Sequence, residues 1–221
     1  TSGEVNTYTD KGLCDEEYTY YVQAVHPNSD LTSRSFNVSN SPLYEYNTFE
    51  SSIDLVSVET ENEISVHWSK SQFSEFEEYK VLKYKGSLAN QLDEFYTTDT
   101  TLVDYDVATD QTSYLYTLTE IDRCGNENKH RREGKSIVLM GNYSGGSYLN
   151  WTAYETWETG VKNYYLEIMK PGGFEEVAHV DGNTLAYKDT VDHIEVIGRY
   201  CYRIYAVNNQ GDTSYSNIIC L

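Results

Sequence analysis

The side chains in this sequence that could do chemistry are five histidines, four cysteines, three tryptophans and 35 acidic residues. The histidines are His26, His67, His130, His179 and His193, scattered singly along the chain. Nucleophilic catalysis needs a Ser, Cys or Lys held against a base, and its local signs are missing. There is no Gly-x-Ser-x-Gly elbow, no phosphate-cradling glycine loop and no His-Glu-x-x-His. His67 alternates with Val66 and Trp68, so it points outward from a strand. Carboxylate pairs could be assembled anywhere among so many acids, so they select no reaction. Asp104-Tyr-Asp106-Val-Ala-Thr-Asp110 has the oxygen-rich look of a calcium loop but lacks its glycine and distal glutamate. It reads as a strand end followed by an acidic corner. No Cys-x-x-Cys occurs, which argues against a zinc site. The expectation is a chain with no catalytic residues, no metal site and no cofactor.

Two features could bind a partner. The basic run Lys129-His130-Arg131-Arg132 stands out in a chain of net charge −19. In a loop, Lys129, Arg131 and Arg132 could hold a carboxylate or an anionic glycan through charge-assisted hydrogen bonds, or dock on acidic neighbouring chain. Trp157 falls in a loop rather than a core strand. It could stack on a sugar ring or pack against a neighbouring module. The partners to expect are therefore a protein or a glycan. A nucleic acid is excluded by the charge, because binding one requires a basic face that displaces counterions. No apolar run reaches the roughly 18–20 residues that span a bilayer, so membrane insertion is not expected. Residues 1–20 lack the basic and apolar regions of a signal peptide.

The elements that must position these residues are strands. The 22 tyrosines favour pleated sheet. Three segments alternate with period two: Tyr18-x-Tyr20-x-Val22-x-Ala24, Tyr114-x-Tyr116-x-Leu118-x-Glu120 and Tyr200-x-Tyr202-x-Ile204-x-Ala206. Upstream of each lies an aspartate after an extended stretch, namely Asp10, Asp104 and Asp189. The second and third copies share a front half, Ile53-Asp-Leu55 before Trp68 and Ile137-Val-Leu139 before Trp151. Short strands separated by turns at Pro171-Gly172-Gly173, Asp181-Gly182-Asn183 and Asn209–Asp212 predict all-β sandwiches. The units are a partial one over 1–46, a complete one over 47–138 and a complete one over 139–221. Three strands cannot close a two-sheet core, so the first unit is expected to be part of a longer protein.

The repeat resembles the fibronectin type III sandwich, of seven strands A to G. Trp68 and Trp151 match its strand-B core tryptophan. Tyr18, Tyr114 and Tyr200 match its E–F corner tyrosine, whose hydroxyl bonds backbone just upstream. The first unit would then hold strands E to G. Glu120 departs from the small residue usual at its place, which would mark an exposed edge or a local shift. In the third unit, Trp151-Thr-Ala-Tyr154-Glu-Thr-Trp157-Glu-Thr-Gly160-Val161 and the ending Ser214-Tyr215-Ser216-Asn217-Ile-Ile-Cys220 resemble modules of Bacteroidetes surface proteins. Those modules precede the sorting domain read by the type IX secretion system, often of the gliding-motility-associated kind. The resemblance implies a secreted, extracellular or cell-surface parent, adhesin-like, with a non-catalytic spacer role and the secretion machinery or a surface molecule as protein partner. A glycan- or protein-binding module and an accessory region of a secreted hydrolase are the alternatives. Thr100 in Asp99-Thr-Thr and Thr190 in Asp189-Thr-Val are similar to that phylum's O-glycosylation acceptor.

The cysteines follow from this layout. The turn at Asn209–Asp212 lies midway between Cys201 and Cys220, so a symmetric F–G hairpin sets them opposite each other, within reach of a disulfide. Two buried free thiols are the alternative. Cys14 would lie in the first unit's E–F corner and Cys124 in the second unit's F–G loop. These poles meet in a head-to-tail array, where the two could bridge, unless Cys14 pairs with an absent part of its own unit. Disulfides would place the protein outside the reducing cytoplasm.

Overall fold

The structure, a computed structural model, describes residues 7–10, 13–14, 16–41, 51–73, 75–128, 132–191, 193 and 198–221. Every regular element among them is a strand. The first four are short: β1 (Tyr18–Tyr20), β2 (Gln23–Val25), β3 (Thr32–Arg34) and β4 (Val38–Asn40). They form two small antiparallel ladders, β1 with β4 and β2 with β3. Their side chains stay half-buried or exposed, with Val25 and Val38 each more than 60% open to solvent. Residues 7–10 form no strand, so the expected strand E of this segment is absent there.

Next come β5 (Ile53–Thr60), β6 (Glu63–Trp68), β7 (Phe76–Lys85), β8 (Gln91–Thr97), β9 (Thr101–Asp104), β10 (Tyr114–Asp122) and β11 (Arg132–Lys135). A three-stranded sheet, β5-β6-β9, faces a four-stranded one, β11-β10-β7-β8. Alternation places Ile64, Val66 and Trp68 of β6 inward and leaves His67 exposed. Tyr114, Tyr116 and Leu118 of β10 meet them from the other sheet. Each aliphatic so buried contributes roughly 1.5–3 kcal/mol.

The plan repeats in β12 (Leu139–Tyr143), β13 (Ser147–Trp151), β14 (Asn163–Lys170), β15 (Gly173–Asp181), β16 (Ala186–Asp189), β17 (Cys201–Val207), β18 (Thr213–Tyr215) and β19 (Ile219–Cys220). Sheet β12-β13-β16 faces β15-β14-β17-β18, with β19 also on β17. In both repeats the first, second and fifth strands oppose the third, fourth, sixth and seventh. This is a tandem fibronectin type III-like β-sandwich.

The last hairpin is not symmetric throughout. Val207 pairs with Thr213 and Tyr205 with Tyr215, whereas Tyr202 pairs with Ile219 and Cys201 with Cys220. The register slips by one residue between β18 and β19. That slip frees Asn217 to bond both Leu139 N (2.7 Å) and Leu139 O (3.0 Å), its amide standing in for a strand against β12.

Glu120 is not at an exposed edge. It is buried on the central strand β10, where Ser51 donates to it through its backbone N–H (3.2 Å) and its hydroxyl. The register of β10 against β7 does shift just beyond it, at Ile121/Asp122.

Candidate functional site: the joints between modules

The joint between the two sandwiches is built on a strand edge. β5 pairs with β6 on one side only, which leaves the other row of backbone N–H and C=O groups without a ladder. The third unit supplies the missing partners. Val56 N donates to Tyr154 Oη (3.0 Å), Ser214 Oγ donates to Val56 O (2.7 Å), and Trp157 Nε1 donates to Asp54 O (2.8 Å). Tyr215 N donates to Ser57 Oγ (3.2 Å). Leu55 of the second unit packs into the core of the third. Lys135 N donates to Thr156 Oγ1 (3.0 Å). Burial pushes the pKa of the Tyr154 hydroxyl above the ordinary tyrosine value, so it stays protonated at the contact.

Trp157 thus packs against the neighbouring module. It is 8% exposed, edge-on to Tyr154 at 4.5 Å, with its N–H used by the second unit. Arg132 is half-buried and pairs with Glu158 at 3.1 Å, beside a cleft of about 620 Å³ whose lining includes Asp54, Glu133, Glu155, Glu158 and Asp212. Through that pair Arg132 links the second unit to the third. Lys129 and Arg131 lie outside the described residues.

The first joint is covalent. Cys14 and Cys124 form a disulfide, with Cα atoms 5.4 Å apart. The buried carboxylate of Asp122 fixes the loop that presents Cys124 by accepting from Cys124 N (2.8 Å), Asn126 N (2.9 Å) and Asn126 Nδ2 (3.1 Å). Arg123 pairs with Glu75 at 2.9 Å. Cys201 and Cys220 form the second disulfide, across β17 and β19, with Cα atoms 4.0 Å apart.

The repeated tyrosines do two jobs. Tyr18 and Tyr114 accept from backbone just upstream, from Cys14 N (3.0 Å) and Ala108 N (2.9 Å). The ring of Tyr200 lies beside Tyr143 and His193. The second tyrosine of each motif donates to the upstream aspartate: Tyr20 to Asp10 (3.1 Å), Tyr116 to Asp104 (2.7 Å) and Tyr202 to Asp189 (3.0 Å). Burial and the neighbouring carboxylate raise the pKa of Tyr116 and Tyr202 well above the usual tyrosine value. The aspartates' remaining partners differ. Asp104 holds Lys83 in a buried ion pair (2.9 Å), and Asp189 holds His193 (2.7 Å). Sequence reading singled out neither Lys83 nor the pairing of His193. Alternation sets Lys83 on the inward face of β7 with Tyr79 and Val81, a signal that the sequence carries, whereas His193 follows an irregular stretch without periodicity.

Trp68 and Trp151 end β6 and β13 inside their cores, each near a tyrosine of the facing sheet, Tyr79 and Tyr164, at 5.5 Å. On the outer face of the third unit a row of rings crosses the strands. Tyr165 stacks on Tyr205 at 4.9 Å and 5°, and Tyr205 lies 5.2 Å from Tyr215. The stacked faces are turned to each other rather than to solvent, which makes the row a brace between strands. Thr190 is exposed, and Thr100 is half-buried with its carbonyl accepting from Trp68 N (3.1 Å). Among the described residues no group of three or more His, Cys, Asp or Glu is placed to hold a metal ion. Among them, too, no helix is long and apolar enough to cross a membrane.

No protein-family model matches the chain. No curated protein matches it either. Among solved structures, a two-domain fibronectin type III segment of chicken tenascin is similar at 18% identity, over 78% of this chain and 98% of that one, with a TM-score of 0.32. The fold is defined by the strand order within each unit, described above.

Proposed function

We propose that this chain is a structural, non-catalytic spacer of a secreted cell-surface protein or adhesin. Its sandwiches are held at set angles so that another part of the parent is presented at a distance. The observation that carries this is the second joint. There the free edge of β5 is capped by Tyr154, Trp157 and Ser214, so each sandwich completes the other's hydrogen bonding. The two disulfides fit an oxidising, extracellular location. The resemblance of the third unit extends this reading to a type IX secretion substrate of Bacteroidetes, with the secretion machinery or a surface molecule as its protein partner. Thr190 is the better exposed of the two candidate O-glycosylation acceptors. No observation favours the glycan-binding or hydrolase-accessory alternatives, since Trp157 is spent on the joint.

Small-angle scattering before and after reduction tests the spacer reading. Reduction should free the first segment and broaden the distribution of distances, while the angle between the second and third units holds. Two sandwiches tumbling independently in the oxidised protein would end the proposal.

A further inference from the structure

Lys83 is the unusual residue of the second sandwich. It stands on β7, in the four-stranded sheet, and Asp104 ends β9 in the facing sheet. The two side chains are 1% and 2% exposed. Lys83 Nζ lies 3.0 Å from Asp104 Oδ1 and 2.9 Å from Oδ2. A nitrogen so nearly equidistant from both oxygens sits about 3 Å from the carboxyl carbon, within near-attack range. Each oxygen also has its own donor. Tyr116 Oη donates to Oδ2 (2.7 Å) and Asp106 N donates to Oδ1 (3.0 Å). Asp106 O accepts from Nζ (2.5 Å) and orients the amine. The Tyr114 ring lies 5.3 Å from Nζ. Nucleophile, electrophile and two oxyanion donors are thus assembled in a dry core.

We propose that Lys83 and Asp104 condense to an intramolecular amide, an isopeptide cross-link between the two sheets of the second sandwich. A proton passes from the Lys83 ammonium to the carboxylate, which leaves a neutral amine and a neutral acid. The Nζ lone pair forms a C–N bond to Cγ of Asp104. The hydroxyl of Tyr116 and the N–H of Asp106 hold the two oxygens of the tetrahedral adduct. A C–O bond then breaks, and that oxygen departs as water with the acid proton and one amine proton. Nothing is oxidised or reduced. One positive and one negative charge vanish together, so the net charge is unchanged. The condensation also removes a buried ion pair, whose desolvation is otherwise costly.

The third sandwich lacks the pair. Ile168 faces Tyr202 where Lys83 faces Tyr116, and the aspartate there holds His193 instead. The cross-link is therefore assigned to the second unit alone.

Intact mass spectrometry of the full chain, with both disulfides reduced, tests this. The mass should fall about 18 Da, one water, below that of the sequence. A tryptic digest should contain one branched peptide joining Lys83 to Asp104, with no cleavage after Lys83. Lys83→Arg keeps the cation but cannot condense, so its mass should be that of its own sequence. Tyr116→Phe should leave part of the protein unlinked. A wild-type mass equal to the sequence, with cleavage after Lys83, would reduce the pair to an ordinary ion pair and overturn the proposal. So would a water deficit that persists in Lys83→Arg.

Discussion

At the scale of single residues, the hydroxyl of Tyr154 shows how a polar group can matter more than its size. It is the acceptor for Val56 N, a backbone donor on a strand edge that is shut off from water. Tyr154→Phe keeps the ring and its contact with Trp157 but orphans that N–H. A buried donor left alone costs about 1–3 kcal/mol. At this chain length, that corresponds to a melting point lower by about 2–4 °C per kcal/mol. Tyr148→Phe, on an exposed and unrelated ring, should leave the melting point unchanged. Trp157→Ala should be worse, at about 3 kcal/mol or more, because it removes a buried ring as well as the bond to Asp54 O. Equal, negligible losses in calorimetry for both variants would mean that the joint is not closed in solution.

At the scale of strands, β11 shows what close approach demands. A Cβ on Gly134 would come within 2.6 Å of Ile53 Cγ2 and 2.7 Å of Val56 Cγ2, both on β5. Gly134→Ala should therefore push β5 away from β11 and cost about 1–3 kcal/mol of overpacking. It should also loosen the second joint, which is read as a wider angular spread in scattering. An unperturbed variant would show that β5 can shift freely. The sequence carries part of this architecture openly. The Tyr-x-Tyr motifs and their upstream aspartates are visible because strand periodicity and a bonded pair both leave fixed spacings. Trp68 and Trp151 are visible because each ends a strand of alternating residues. The slip between β18 and β19 is not, since a bulge changes register without changing composition. Nor is the joint legible. Tyr154 and Ser214 are ordinary loop and strand residues until the free edge of β5 is set against them. Lys83 falls on the inward face by alternation with Tyr79 and Val81, but its partner is hidden, because only the stacking of two sheets tells which carboxylate it meets.

At the scale of the whole molecule, buried tyrosines should limit its stability in alkali. Tyr116, Tyr154, Tyr164 and Tyr202 all have pKa values raised above 10.0, chiefly by burial, which disfavours tyrosinate. Below the unfolded value near 10, folded and unfolded chains both keep these protons, and pH has no purchase through them. Above it the unfolded chain releases protons that the folded chain retains, so stability falls as pH rises toward the folded values. Each such tyrosine contributes a loss of about 1.4 kcal/mol per pH unit in that window. The four are spread over both sandwiches, with Tyr154 at the joint between them, so alkali weakens the two cores and their contact together. Thermal melts should therefore hold steady to about pH 9 and then fall steeply, with tyrosinate absorbance from these rings rising in step with unfolding. Tyr202→Phe should make that slope shallower, because one fewer proton is then released on unfolding. Melting points that stay flat well above pH 10, or tyrosinate forming fully while the sheets remain intact, would mean that water reaches these hydroxyls in the folded protein. The sandwiches would then be far looser than their packing describes.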